Sequence, residues 1–208
     1  SRKSRLVMKD ILIATANRGK AQEIAAIFQG SSFYPHFLYE YPDLQKIDIQ
    51  ENAQSFEGNA LIKALLIGQA SGMITLADDS GICVEALGEA PGVLSARYSE
   101  ERTDAANNQK LLMALAGVPT ERRNCHYHCS VAIYNPVDNF VATTLGTWSG
   151  RVAEKESGDR SFGYAPIFLA AEFNYEKSNA ECEPEELIAI NHRGRAFRAA
   201  LEILQEKY

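Results

Sequence analysis

The sequence predicts an α/β fold, a mixed β-sheet flanked by helices, and three observations carry that prediction. Two short apolar runs, residues 11–15 and 74–77, are too brief for helices and lie beside segments whose apolar residues recur at helical spacing. Residues 124–134 alternate with period two and are followed by a turn cluster and a second extended run, the pattern of a hairpin. The order is therefore strand–helix, helix–strand, an antiparallel pair and a last helix, which calls for a sheet with helices packed on it.

Taken in order, Ile11, Leu12, Ile13, Ala14 and Thr15 read as a buried strand. Asn17-Arg18-Gly19-Lys20 follows, and then a helix with Ile24, Ile27 and Phe28 on one face. Residues 35–44 are aromatic and irregular, and no element is assigned there. Ser55 is placed to cap a helix whose apolar positions are Phe56, Ala60, Leu61, Ala64, Leu65 and Gly68. The strand at 74–77 runs into Asp78-Asp79-Ser80-Gly81, where it is expected to break. Residues 104–116 read as a helix with Leu111, Leu112 and Leu115 as its buried stripe. Cys125, Tyr127, Cys129, Val131 and Ile133 share one face of the next strand, and His126, His128, Ser130 and Ala132 the other. Residues 135–139 form the turn, 140–148 the returning strand, and 192–206 a helix burying Ala196, Phe197, Ala200, Leu201 and Leu204.

A chain of 208 residues with 46% hydrophobic and 23% charged side chains buries a core of its own. No repeat or linker interrupts it, so a single domain over residues 10–208 is expected after an N-terminal extension, residues 1–9, which lacks the apolar run of a secretory signal. No apolar run approaches the roughly 20 residues of a membrane span, so no membrane partner is expected. The net charge of −6 argues against a sequence-independent nucleic-acid binder, which needs a basic face. A small anionic substrate is still admitted, because a metal ion and a few lysines can reverse the field locally. The four cysteines are scattered. On a strand Cys125 and Cys129 stand about 13 Å apart, beyond the roughly 7 Å a disulfide spans, and this usage suits a reducing, cytoplasmic compartment.

Four groups of residues could carry chemistry. Thr15-Ala16-Asn17-Arg18-Gly19-Lys20 lies where a buried strand meets a helix, so backbone N–H groups, the helix dipole and the Lys20 charge offer an anion site. The alternative is a plain turn capped by Asn17. Asp78 and Asp79 are adjacent carboxylates that repel unless a cation lies nearby, and hard oxygen ligands suit magnesium. On a continuing strand they would point to opposite faces, so the expected break at Ser80-Gly81 matters. Glu51, Glu57, Asn59 and Lys63 form a further polar group, read from the residues alone as a solvated helix face. His192-Arg193 opens the last helix and reads either as a base-recognising pair or as a basic surface start. The Cys and His of residues 125–129 cannot share one tetrahedral zinc site, because they alternate across the strand.

In this order, the motifs resemble the inosine/xanthosine triphosphate pyrophosphatase family. The matching residues are Ala14-Thr15-Ala16-Asn17 with Lys20 and Glu23, then Phe56, Asn59-Ala60 and Lys63-Ala64. Ala77-Asp78-Asp79-Ser80-Gly81-Ile82 and Ala90-Pro91-Gly92-Val93-Leu94-Ser95-Ala96-Arg97-Tyr98-Ser99 follow, and this block is the most specific. Gly146-Thr147-Trp148-Ser149-Gly150, Phe162-Gly163-Tyr164 with Pro166-Ile167-Phe168, and Ile190 with His192-Arg193-Gly194-Arg195-Ala196 complete the match. The resemblance implies an elongated mixed sheet with two lobes around a central cleft, and a homodimer. It implies Mg2+-dependent hydrolysis of ITP, dITP or XTP to the monophosphate and pyrophosphate. Thr15, Ala16, Asn17, Arg18, Gly19 and Lys20 would hold the triphosphate, and Ser80 would touch the substrate. Asp79 would act as general base and, with Asp78 and Glu51, as metal ligand. Phe162, Gly163, Tyr164 and Ala165 would line the base pocket, with His192 and Arg193 reading the 6-keto group.

Four positions depart from the family pattern: Gln50 replaces an acid, Ala165 an aspartate, Leu187 a lysine and Asn191 a serine. Ala165 and Leu187 remove a carboxylate and an ammonium from the base-reading half, so hydrolysis with altered purine selectivity is expected. The alternatives are a degenerate homologue that binds nucleotides with little turnover and a pyrophosphatase of modified pyrimidine nucleotides. The enzyme reading requires Asp78 and Asp79 to stand beside Lys20.

Overall fold

A computed structural model of the protein describes residues 7–160 and 162–208. The expected N-terminal extension falls outside the described residues over positions 1–6. The strands are β1 (Lys9–Ile13), β2 (Phe33–Phe37), β3 (Ile74–Val84), β4 (Asn124–Asn135), β5 (Phe140–Val152) and β6 (Phe168–Ala170). The helices are α1 (Arg18–Phe28), α2 (Pro42–Gln45), α3 (Phe56–Ser71), α4 (Asp104–Ala114), α5 (Pro184–Ile188) and α6 (His192–Lys207). No helix among the described residues is long and apolar enough to cross a membrane.

The six strands form one mixed sheet in the order β2-β1-β3-β4-β5-β6. β1 is parallel to β2 and β3, and β5 is antiparallel to β6, as the alternation of elements requires. Ile11, Leu12 and Ile13 are fully buried on both faces, which is why this strand is a continuous apolar run. β2 straddles the start of residues 35–44, for which the sequence assigns no element. Its Pro35 cannot donate to a ladder, and it is tolerated because β2 ends the strand order.

Local signals fix the other boundaries. The Asn17 side chain accepts from Lys20 N to start α1, Ser55 accepts from Gly58 N to start α3, and Thr103 accepts from Ala106 N to start α4. The four-residue turn between β4 and β5 is held by Asn135 Oδ1 and Asp138 Oδ1, which accept from Val137 N and Phe140 N. Two expectations are corrected. β3 does not break at Ser80-Gly81 but continues to Val84, so the paired aspartates lie within a strand. In α4 the buried residues are Asn107, Asn108 and Leu111, with Leu115 buried at its C-cap, while Leu112 is only partly buried.

The chain divides into two compact units. The first comprises residues 1–79, 130–145 and 196–208, and its core gathers Leu12, Ala14, Ala60, Ala64, Ile67 and Ala77. The second comprises residues 80–129 and 146–195, around Ile82, Leu111, Trp148, Ile167 and Phe168.

Candidate active site

The first unit brings the acidic pair and the lysine together. Thr15 lies two residues after β1; its hydroxyl accepts from Asn17 N at 3.2 Å, and Asn17 Oδ1 accepts from Lys20 N at 3.1 Å. The capped turn and the anion-site reading thus describe the same residues: the cap shapes the turn, and the first turn of α1 still offers its leading N–H groups. Arg18 lies over the Tyr39 ring at 4.2 Å. The Lys20 ammonium stands 3.9 Å from Asp78 Oδ2, so the requirement stated above is met by Asp78, whereas Asp79 is held by other partners.

Asp78 is 5% exposed, so its charge needs this partner. Asp79, the next residue on β3, takes an amide hydrogen bond from Asn59 Nδ2 at 3.0 Å on Oδ2. Lys63 stands among the acids: its ammonium donates to the Asp78 carbonyl at 3.0 Å and pairs with Glu51 Oε1 at 2.7 Å. Burial alone would lower the Lys63 ammonium, but Asp78, Glu51 and Asp79 outweigh it and raise it. Burial raises the Asp79 carboxyl to about 6; Asn59 and Lys63 draw it down, while Glu51 and Asp78 push it up.

This overturns the solvated-face reading of the α3 polar group. Asn59 is 1% exposed, and Asn59 and Lys63, four residues apart, face the aspartates, whereas Glu57 remains on the exposed side. The neighbours Ala60 and Ala64 are fully buried, but adjacent helix positions do not share a face, so their apolar character carried no signal for Asn59 or Lys63. The donors present are hard carboxylate oxygens, a set that fits Mg2+, which needs only one or two carboxylates beside waters and phosphates. Burial first, and then the Glu51 and Asp78 charges, disfavour the Asp79 anion, a cost that a cation beside it would offset.

The second unit carries the other candidates. His192 and Arg193 are 6% and 4% exposed, so the reading of a basic surface helix start is corrected. His192 stacks on Tyr127, with ring centroids 4.4 Å apart and an interplanar angle of 9°. The Arg193 guanidinium lies 5.5 Å from the centroid of Phe162, an aromatic ring that is 42% exposed. Asn191 Oδ1 accepts from Gly194 N at 2.8 Å, so this departure from serine preserves a helix cap. Ser80 is half-buried on β3 and Ala165 half-buried in the turn after Tyr164, while Leu187 packs on the core of this unit.

Residues that sequence reasoning missed hold the Phe162-Gly163-Tyr164 segment. Gly163, at φ 62°, donates its N–H to Asp104 Oδ2 at 2.9 Å and accepts at its carbonyl from Asn108 Nδ2 at 3.0 Å. The Tyr164 hydroxyl donates to the Ser95 carbonyl at 2.6 Å, which also accepts from Asn107 Nδ2 at 3.3 Å. Asn107 Oδ1 accepts from Ser99 N at 2.7 Å. One face of α4 therefore clamps both the segment around Ser95 and the segment around Gly163.

Comparison with known proteins agrees with these features. Residues 11–203 match the model of the Ham1 family. A dITP/XTP pyrophosphatase of Desulforamulus reducens is 37% identical over 199 residues, covering 95% of this chain and 96% of that one. A dITP/XTP pyrophosphatase of Geobacillus kaustophilus is 41% identical over 191 residues, 91% of each chain. The structure of a HAM1 protein from Coxiella burnetii superposes with a TM-score of 0.84 at 33% identity, covering 96% of this chain and all of that one. With the strand–helix anion turn, the paired aspartates and the buried His-Arg in the order the motifs require, the chain belongs to the Ham1 family.

Proposed function

We propose that the protein is a Mg2+-dependent pyrophosphatase that hydrolyses non-standard purine nucleoside triphosphates (ITP, dITP, XTP) to the monophosphate and pyrophosphate. The observation that carries this reading is the meeting of Lys20 with Asp78 at the turn between β1 and α1, with Asp79, Asn59, Glu51 and Lys63 around it. The names of the relatives support the substrate class.

Mg2+ would be held by Asp79 with Glu51, where it would neutralise phosphate charge and lower the pKa of bound water; Asp78, its neighbour on the unbroken β3, turns its carboxylate to Lys20 and is not counted as a ligand. The Lys20 ammonium and the first N–H groups of α1 bind phosphate oxygens and stabilise the negative charge that grows on them. Asn59 fixes the Asp79 carboxylate through Oδ2, so Asp79 takes the proton of water at Oδ1. A base whose pKa lies near 6 is suited to work at neutral pH. Phe162 offers a flat face for a base, and Arg193 and His192 offer donors for a keto oxygen. An adenine amino group would leave such donors facing another donor, a penalty that supports selection against it. The loss of charge at Ala165 and Leu187 favours a weaker purine preference than the family pattern would give.

A reducing compartment such as the cytoplasm is supported by four buried cysteines without a disulfide, and a homodimer by the family resemblance. The test is pyrophosphate release from ITP, XTP, dITP, ATP and modified pyrimidine nucleotides with Mg2+, for wild type and Asp79→Asn. Wild type is expected to prefer the deaminated purines, and Asp79→Asn to lose roughly a hundredfold or more in kcat. Full activity in Asp79→Asn would refute the assignment of the base, and binding without turnover in wild type would establish a degenerate homologue.

A further inference from the structure

Cys83, Glu89 and His126 come together in the second unit, and none of them belongs to the phosphate-handling or base-reading sets. One ligand atom from each, Sγ, a carboxylate oxygen and a ring nitrogen, lies within 4.8 Å of the other two. His126 Nδ1 stands 3.7 Å from Glu89 Oε2. A tetrahedral zinc ion with bonds of about 2.0–2.3 Å separates its ligand atoms by roughly 3.3–3.6 Å. The imidazole–carboxylate edge is thus already formed, and the thiol needs to close by about 1 Å, within reach of side-chain rotation.

The backbone presents the three groups from different segments. Cys83 is on β3 and His126 on β4, its neighbour in the sheet. Glu89 lies in the turn that folds back on β3, where Glu89 N donates to the Val84 carbonyl at 3.0 Å and Val84 N donates to that of Ala90 at 3.1 Å. Glu89 holds φ 74°, the left-handed region that glycine adopts freely and that costs a side-chain-bearing residue about 1 kcal/mol or more. A carboxylate is kept in a glycine's conformation, facing a thiol and an imidazole.

The competing description is a surface ion pair between His126 and Glu89. It gives no role to Cys83, which is 6% exposed. Burial and the Glu89 carboxylate push that thiol up to about 11, so without a cation it keeps its proton and is no nucleophile. Thiolate, imidazole and carboxylate together suit a borderline-soft divalent ion rather than Mg2+.

We propose that Cys83, Glu89 and His126 form a Zn2+ site whose fourth position is open to water or an external ligand, separate from the oxygen-lined site at Asp79. Binding displaces the thiol proton and ties the turn at residues 85–91 to β4. That turn leads directly into the segment at Ser95, which accepts from Tyr164. The clip therefore stabilises one of the two segments held by α4.

The test uses the full chain, stripped with EDTA under a non-coordinating reductant and titrated with Co2+ as a spectroscopic probe for zinc. Wild type is expected to take up one equivalent with a thiolate-to-cobalt charge-transfer band, bleached by one equivalent of Zn2+. Cys83→Ser removes the band, and His126→Gln weakens binding by roughly tenfold or more. Asp79→Asn leaves the band unchanged, which separates this site from the proposed Mg2+ site. Cys83 is buried, so Glu89→Gly provides a second test at an exposed position. It should raise the melting temperature without metal, by relieving the left-handed strain, and lose the rise that Zn2+ gives wild type. No thiolate band in wild type, a band that survives in Cys83→Ser, or wild-type affinity in His126→Gln would overturn the proposal.

Discussion

Asp79 is held at an odds with its own charge. Desolvation and the neighbouring Glu51 and Asp78 carboxylates raise it to about 6 from the ordinary 3.8, even though Asn59 and Lys63 favour its ionised form. A carboxyl raised on folding gives stability that is complete below its unfolded pKa and is lost as pH rises through the folded one, here between about pH 4 and about 6. At neutral pH the folded protein without metal therefore carries a penalty that an amide would not. Asp79→Asn should melt higher than wild type in EDTA at about pH 8, by roughly 1–2 kcal/mol or a few degrees, should keep part of that advantage near pH 5, and should lose it below about pH 4. Added Mg2+ should raise the melting temperature of wild type and leave the variant unmoved. Thermal denaturation at these pH values, with and without Mg2+, measures each quantity. A variant less stable than wild type throughout would show that the carboxylate is already satisfied by the protein.

At the scale of elements, α4 is a polar scaffold rather than an apolar prop. Asp104 and Asn108, four residues apart, engage the N–H and C=O of the same residue, Gly163. Removing the Asn108 amide costs one hydrogen bond, about 0.5–1.5 kcal/mol, and frees the aromatic segment to move. Asn108→Ala should raise KM for ITP by about 3–10-fold and change kcat by less than about threefold, because the residues proposed to handle phosphate are untouched. A steady-state comparison decides it, and a fall in kcat alone would place Asn108 in the chemistry instead. The elements themselves were largely legible in the sequence. β1, α1, α3, the β4–β5 hairpin and α6 follow from apolar spacing, caps and turn residues that act locally. β2 and the continuation of β3 were not, because each depends on a partner strand: Pro35 reads as a breaker until an edge position is known, and Ser80-Gly81 reads as a stop until a neighbouring strand pairs with it. The burial of Asn59, Asn107 and Asn108 was hidden for the same reason, since an asparagine looks solvated until its partners are known.

Over the whole molecule the two proposed chemical tasks fall to different stretches of chain. The residues proposed to handle phosphate (Thr15 to Lys20, Glu51, Asn59, Lys63, Asp78 and Asp79) belong to the first unit, and those proposed to read the base (Phe162 to Ala165 with His192 and Arg193) belong to the second. Their motifs were readable because charge and glycine at strand–helix junctions are local features; the supporting hydrogen bonds were not, because they span long intervals, such as 55 residues from Asn108 to Gly163. The division also separates what the departures can affect. Gln50 adjoins the first set and bonds to Asp48, whereas Ala165 and Leu187 concern only the second. Leu187 packs its apolar side chain on the core of that unit, so a lysine there would bury its stem and hold its ammonium outward. Ala165→Asp combined with Leu187→Lys restores both charges of the family pattern at once, which avoids leaving either unpaired. The double variant should raise the ITP/ATP ratio of kcat/KM by about tenfold, equivalent to about 1.4 kcal/mol, while kcat for ITP stays within a few-fold. Kinetics of both nucleotides on wild type, the two single variants and the double variant separate the contributions as a cycle. If the ratio stays fixed across all four proteins, base selection rests on His192, Arg193 and Phe162 alone, and the two substitutions carry no selectivity.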